Sequence, residues 1–123
     1  MTKGAALQSF FAGFSIPAYP AAAVPIGAEC PYLTYDAVFD AFPGGEVSIT
    51  ANLWYYTDSE AEPNAKAQEL SAAIGYSGVM LSCDDGYIWL KRGSPFCQAL
   101  SDAADHNIKR RYINISAEYL THN

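Results

Sequence analysis

The 123-residue sequence predicts an α+β fold, a mostly antiparallel sheet of about four to five strands with two helices packed on it. Three observations predict it. Residues 46–56 (EVSITANLWYY) and 108–121 (IKRRYINISAEYLT) alternate apolar and polar side chains with the period of a strand. Residues 3–14 and 59–75 space their apolar residues as helices do. The strands are joined by short turns, which favours antiparallel neighbours. The length suits a single domain over residues 1–123, which buries roughly two thirds of the unfolded surface and needs no covalent staple.

In chain order, Leu7, Phe10, Phe11 and Phe14 fall at i, i+3, i+4 and i+7, one face of a first helix. Pro17, Pro20, Pro25 and Pro31 make the next stretch extended or irregular, with room for a brief strand at Ile16–Tyr19 only. The β-branched and aromatic run 32–39 (YLTYDAVF) favours a strand, and FPGGE a turn. In 46–56, Val47, Ile49, Ala51, Leu53 and Tyr55 share one face, with Trp54 and Tyr56 among polar residues on the other. Ser59 and Glu62 have capping-box spacing at the start of a second helix, Pro63 fits its first turn, and Gly75 stops it. Its apolar stripe is Ala67, Leu70, Ile74 and Ala73. Two short apolar runs around Asp84-Asp85-Gly86 predict a hairpin over 78–92. A turn and a polar connector lead to the last strand, where Ile113, Ile115, Ala117 and Tyr119 alternate with Asn114, Ser116 and Glu118.

The net charge is −6, with the first 60 residues at −5 and the remainder at −1. A general nucleic-acid binder carries a basic excess, so that class is disfavoured. Lys109-Arg110-Arg111 reads as the solvated, edge-guarding start of a strand or as a contact for an acidic neighbour, and no aromatics interleave it as a single-strand platform needs. The odd cysteine count (Cys30, Cys83, Cys97) and the lack of Cys-x-x-Cys argue against a disulfide framework or a structural zinc site. Reduced thiols in a cytoplasmic protein are the expectation, with no cofactor and no metal. No leader peptide or membrane span is expected.

Catalytic chemistry has few carriers. A nucleophile–base pair would have to use Cys83 or Cys97 with His106 or His122, and His106 lies in a polar connector. Asp84-Asp85 and Asp102/Asp105 could bind a divalent ion or act as an acid–base pair, but a hairpin turn explains Asp-Asp-Gly sufficiently, and the Asp102–Asp105 spacing fits a solvated turn or a helix N-terminus. EF-hand, HExxH, Walker A and GxGxxG patterns are absent. Asn114-Ile115-Ser116 matches a glycosylation sequon in mid-strand and is taken as incidental. Not an enzyme is the expectation, the alternative being a small cytoplasmic Cys/His enzyme.

Two places suggest a contact surface. Trp54 and Tyr56 are large aromatics on a mixed strand face, to be covered either by the protein's own helix or by another chain. WLKRGSPFCQ (89–98) sets the dibasic pair Lys91-Arg92 beside an apolar loop, Pro95-Phe96, in an acidic chain. That loop suits a catalytic site, a nucleic-acid contact or a subunit contact.

Four segments carry a family resemblance: YPAAAVPIGAECPYLTYD, GEVSITANLWYYTDSEAEPNAKAQELSAAIG, GYIWLKRGSPFCQ and IKRRYINISAEYLT. Together, over roughly residues 15 to 121, they resemble the tail terminator (tail-completion, head–tail joining) proteins of siphophages and prophages. The resemblance implies a non-enzymatic virion protein with a sheet flanked by helices. Such proteins form a ring, commonly a hexamer, on the completed tail tube and meet the head connector, with DNA passing through the lumen unbound. Another head–tail completion or tail-tube-associated component is the neighbouring alternative. In a ring each subunit offers one surface and receives another. Lys91, Arg92, Pro95, Phe96, Trp54 and Tyr56 are then the expected subunit or tube contacts, with Glu29, Asp36, Asp40 or Glu46 of a neighbour as acidic counterparts.

Overall fold

A computed structural model describes residues 1–123. Helix α1 (Lys3–Phe11) runs into a 3-10 turn (Ala12–Phe14), strand β1 (Ala18–Pro20) and a second 3-10 turn (Ala21–Ala23). Then come β2 (Tyr32–Asp36), β3 (Glu46–Tyr56), α2 (Ala61–Ile74), β4 (Val79–Cys83), β5 (Gly86–Ser101) and β6 (Ile108–Thr121). The strands form one six-stranded sheet in the order β1-β2-β3-β6-β5-β4. The β1–β2 pair is parallel and the other pairs are antiparallel. The class is the expected α+β, but the sheet has six strands rather than four to five. The additional strand is β1, three residues at Ala18–Pro20 that overlap the brief strand allowed at Ile16–Tyr19 and run on to Pro20 at the sheet edge.

The last strand of the chain sits in the middle of the sheet. β6 pairs β3 from Glu46↔Glu118 to Tyr56↔Ile108, and pairs β5 on its other side. Its odd residues from Lys109 to Tyr119 are buried and its even residues are half-exposed, the two-residue period predicted for it. The buried set meets Ile49, Ala51 and Leu53 of β3 and Ile88 and Leu90 of β5 in one cluster with Leu7, Phe11, Leu70 and Ile74 of the helices. Phe11 stacks on Tyr35 at 4.6 Å, and Lys66 of α2 donates to the Phe14 carbonyl at 2.7 Å. Both helices therefore cover the same face of the sheet.

Several local expectations shift. β2 ends at Asp36, not at residue 39. α2 buries Pro63, Ala67, Leu70 and Ile74, while Ala73 is exposed. Ser59 does not form a capping box with Glu62; its Oγ accepts the Ala61 N–H at 3.1 Å, and Glu60 is the cap residue. Gly75 ends the helix with φ 76, a conformation that costs glycine little. β5 does not stop at Arg92: its register breaks between Arg92 and Cys97, and pairing with β6 resumes to Ser101.

Lys109 and Arg111 do not guard an edge. They lie on the helix-covered face of a central strand, and Arg111 is only 2% exposed. Arg111 donates to Glu60 at 2.7 Å and to Asn64 at 2.9 and 3.1 Å, while Lys109 reaches Glu60 at 3.5 Å. A buried guanidinium is costly unless its donors are satisfied, and these partners satisfy it. They also fix where α2 begins. No helix is long and apolar enough to cross a membrane.

Candidate interaction surface

The sheet face opposite the helices carries no layer of secondary structure. Strand parity assigns Trp54, Tyr56, Arg110, Tyr112, Trp89 and Lys91 to it. Across the strands, Tyr32, Trp54, Arg110 and Leu100 stand in one row, with Tyr56 and Ile108 in the next. Trp54 donates its indole N–H to Thr34 Oγ1 at 2.9 Å. The Arg110 guanidinium lies over Trp54 at 5.2 Å and over Tyr112 at 5.7 Å, and its Nε donates to Asn52 Oδ1 at 2.6 Å. Tyr19 and Tyr32 continue the patch, with ring centroids 5.9 Å apart. Trp54 is thus held by its cross-strand neighbours, and Tyr56 stands 61% exposed beside it. The expectation that one of the protein's own helices covers these aromatics does not hold, because both helices pack on the other side.

Arg110 was hidden in the basic run 109–111. Its neighbours on either side point inward, while Arg110 alone points outward. It joins none of the ion pairs in the structure. A guanidinium spread on aromatic faces, with one nitrogen fixed by an amide, is pre-organised to receive a carboxylate.

No family model, curated protein or solved structure matches this chain. The chemistry of the surface rests on its own residues. The dibasic pair of 89–98 is divided by the strand: Lys91 faces outward and Arg92 toward the helices. Lys91 binds Glu46, approaches Glu118 at 3.5 Å and lies 4.0 Å over the Trp89 ring. The hydrogen bond to Glu46 raises the Lys91 pKa, and the same bond holds the Glu46 carboxyl below its usual range. The acidic counterpart sought in a neighbour is therefore supplied to Lys91 by its own chain. Arg92 donates to Ser71 Oγ of α2 at 3.0 Å. Phe96 is half-buried and packs on the core, while Pro95 is exposed.

These four residues do not make one patch. The segment 93–96 is a bulge, and Asn114 Nδ2 ties it down by donating to the Pro95 carbonyl at 3.2 Å. Beside it lies an open groove of about 380 Å³, lined mainly by Glu46, Ser48, Ser94, Asn114 and Ser116.

No candidate nucleophile is hydrogen-bonded to a candidate base, although His122 comes near Cys83: its backbone N–H donates to the Asp85 carbonyl at 3.3 Å, and Cys83 and Thr121 both pair with Gly86. Cys97 faces the core opposite Ile113, and burial pushes its thiol up, away from the thiolate a nucleophile needs. Cys83 packs partly against the core, and Cys30 is exposed. His106 and His122 are exposed, and neither bonds a cysteine. Asp84 pairs with the N-terminal amine. Asp102 Oδ1 accepts the N–H groups of Ala104 at 2.7 Å and Asp105 at 3.2 Å, which makes the solvated turn, of the two readings, and no helix follows. No three His, Cys, Asp or Glu side chains converge as a metal site would require.

Charge is partitioned unevenly. Four of seven basic side chains (Lys66, Lys91, Lys109, Arg111) pair with carboxylates of the same chain. Eight of thirteen acids have no cationic partner. Eight acids against three basic side chains (Lys3, Arg92, Arg110) are thus left without an ion-pair partner.

Proposed function

We propose that this chain is a non-enzymatic structural protein of a phage tail. It caps the completed tail tube as a ring of its own copies, commonly six, and joins the tube to the head connector in the virion. The carrying observation is the uncovered sheet face, where Trp54, Tyr56 and Tyr112 surround Arg110 opposite both helices. Aromatic residues and arginine are the types enriched at the centres of protein contacts, and here they are held in place before any partner arrives. The sequence resemblance to tail terminators supports the same reading.

The charge distribution suits a conduit. Bases neutralised internally and acids left free give a surface that repels phosphate, so DNA slides past without being held. Self-repulsion among acidic copies is screened by salt, so assembly strengthens with ionic strength. Negative-stain microscopy of concentrated protein across a salt series, followed by addition of purified tail tubes, tests the proposal. Closed rings, or end-on capping of tubes, are expected. Monomers that neither close nor bind tubes under any condition overturn it.

A further inference from the structure

The two edges of the sheet are unlike. β1 has three residues and ends on Pro20, which has no N–H to give. β4 is bare. Its strand partner is β5 alone, and no backbone bond outside that ladder involves Val79–Cys83. Alternate residues of such a strand aim N–H and C=O groups away from the sheet. Natural edges are usually guarded by charge, proline or a bulge. Residues 76–83 (YSGVMLSC) contain neither a charge nor a proline, and the β4–β5 register is unbroken. The surrounding apolar side chains are exposed: Tyr76 at 100%, Met80 at 47% and Tyr87 at 51%.

We propose that β4 pairs antiparallel with β4 of a second copy, about a two-fold axis at Leu81, so that the two sheets become one. Three features point to a second copy. First, two chains of net charge −6 repel each other over most of their surfaces, and this strip is neutral on both. Second, the antiparallel register sets Leu81 against Leu81 and Val79 against Cys83 of the second copy, apolar on apolar, with Met80 and Ser82 exchanging the outward hydrogen bonds. Third, it carries each Asp84-Asp85 turn to the far end, with the pairing ending at Cys83 where Met1 bonds Asp84, whereas a parallel pairing would bring the two Asp85 carboxylates and the two amine-paired Asp84 carboxylates together. The contact is isologous and stops at two copies. It does not rest on the proposed ring, which is argued from the Trp54–Arg110 face and not from this edge.

Sedimentation velocity on the full chain, across about three decades of concentration, reads the pairing directly. A shift from the 13.3 kDa monomer to twice that mass is expected. Met80→Lys, at an exposed position, and Ser82→Pro, which removes an outward N–H, each weaken dimerisation at least about tenfold. In a Cys30→Ser background, Val79→Cys gives a covalent dimer on mild oxidation, with the introduced thiol joined to Cys83 of the other copy on peptide mapping. If Ser82→Pro does not fold, Met80→Lys and the cross-link decide. A monomer at every concentration, a dimer indifferent to Met80→Lys, or a cross-link that never involves Cys83 overturns the proposal.

Discussion

Arg111 and Glu60 meet at 2.7 Å where the start of α2 crosses the buried face of β6. One partner is 2% exposed and the other reaches water, so the pair is a plug between core and solvent. Arg111→Ala is expected to lower the urea midpoint by more than Glu60→Gln does. The first substitution leaves Asn64 unpaired above a cavity, while the second keeps a hydrogen-bond acceptor beside the guanidinium. Equal losses would show that the pair acts through charge alone.

The same carboxylate sets an acid limit. The hydrogen bond from Arg111 holds the Glu60 carboxyl below its ordinary value of 4.5. A depressed pKa contributes stability that is present above the unfolded value and lost as pH falls through the folded one. Stability is therefore expected to drop below about pH 4.5, with Glu46 contributing in the same direction through Lys91. Urea midpoints from pH 7 to pH 3 should fall less steeply for the Glu60→Gln, Glu46→Gln double variant than for the wild type.

An alkaline limit lies with Tyr119. Burial pushes its phenol up to about 12, and the hydroxyl donates to the Val38 carbonyl at 2.5 Å. The unfolded chain ionises this group near its ordinary value of 10, so stability is expected to fall as pH rises from 10 toward 12. Burial also raises Tyr32, Tyr35 and Tyr55, so absorbance at alkaline pH should show a group of tyrosines titrating after the exposed ones, and Tyr119→Phe should reduce the amplitude of that late phase.

Two substitutions probe the frame. Leu70 of α2 is fully buried, and Leu70→Ala is expected to cost about 3 kcal/mol. Gly86 closes the β4–β5 hairpin at φ 145, and a Cβ there would lie 2.2 Å from the Leu120 carbonyl oxygen. Gly86→Ala is expected to cost at least about 2 kcal/mol. Chemical denaturation measures both.

The open face predicts a separation of assembly from stability. Tyr56→Ser should leave the melting temperature within a few degrees while reducing ring formation or tube capping about tenfold or more. Charge reversal at Arg92 tests the other surface. Assembly unchanged by Arg92→Glu removes Arg92 and the 93–96 bulge beside it from the contact and leaves the Trp54–Arg110 face as the candidate.

The long alternating strands were legible in the sequence because burial on one face imposes a two-residue period on β3 and β6. The inward bases were not, although their parity was available: Lys109 and Arg111 fall on the odd positions of Ile113 and Ile115. A basic run is normally solvated, and only α2 arriving with Glu60 and Asn64 makes the inward placement affordable. β5 was cut short at Arg92 because Ser94-Pro95 reads as a turn. Pairing resumes beyond the bulge because β6 is long enough to offer a partner out to Lys109. The candidate contact around Lys91 was half visible. Charge composition showed that an acid was needed, but the approach of Glu46 depends on β3 and β5 flanking β6, a non-local arrangement that no short window of sequence contains.

The central position of β6 has a consequence for synthesis. β3 and β5 leave the ribosome before the strand that separates them exists, so each waits with one side unmet. Roughly fifty residues lie between the end of β3 and the start of β6, several seconds of elongation at about 5–20 residues per second. A chain interrupted after β5 and before β6 carries two long strands with an empty slot between them. Incomplete translation products of this protein are therefore expected to be substrates for chaperones and proteases, while the finished chain closes its sheet in one late step.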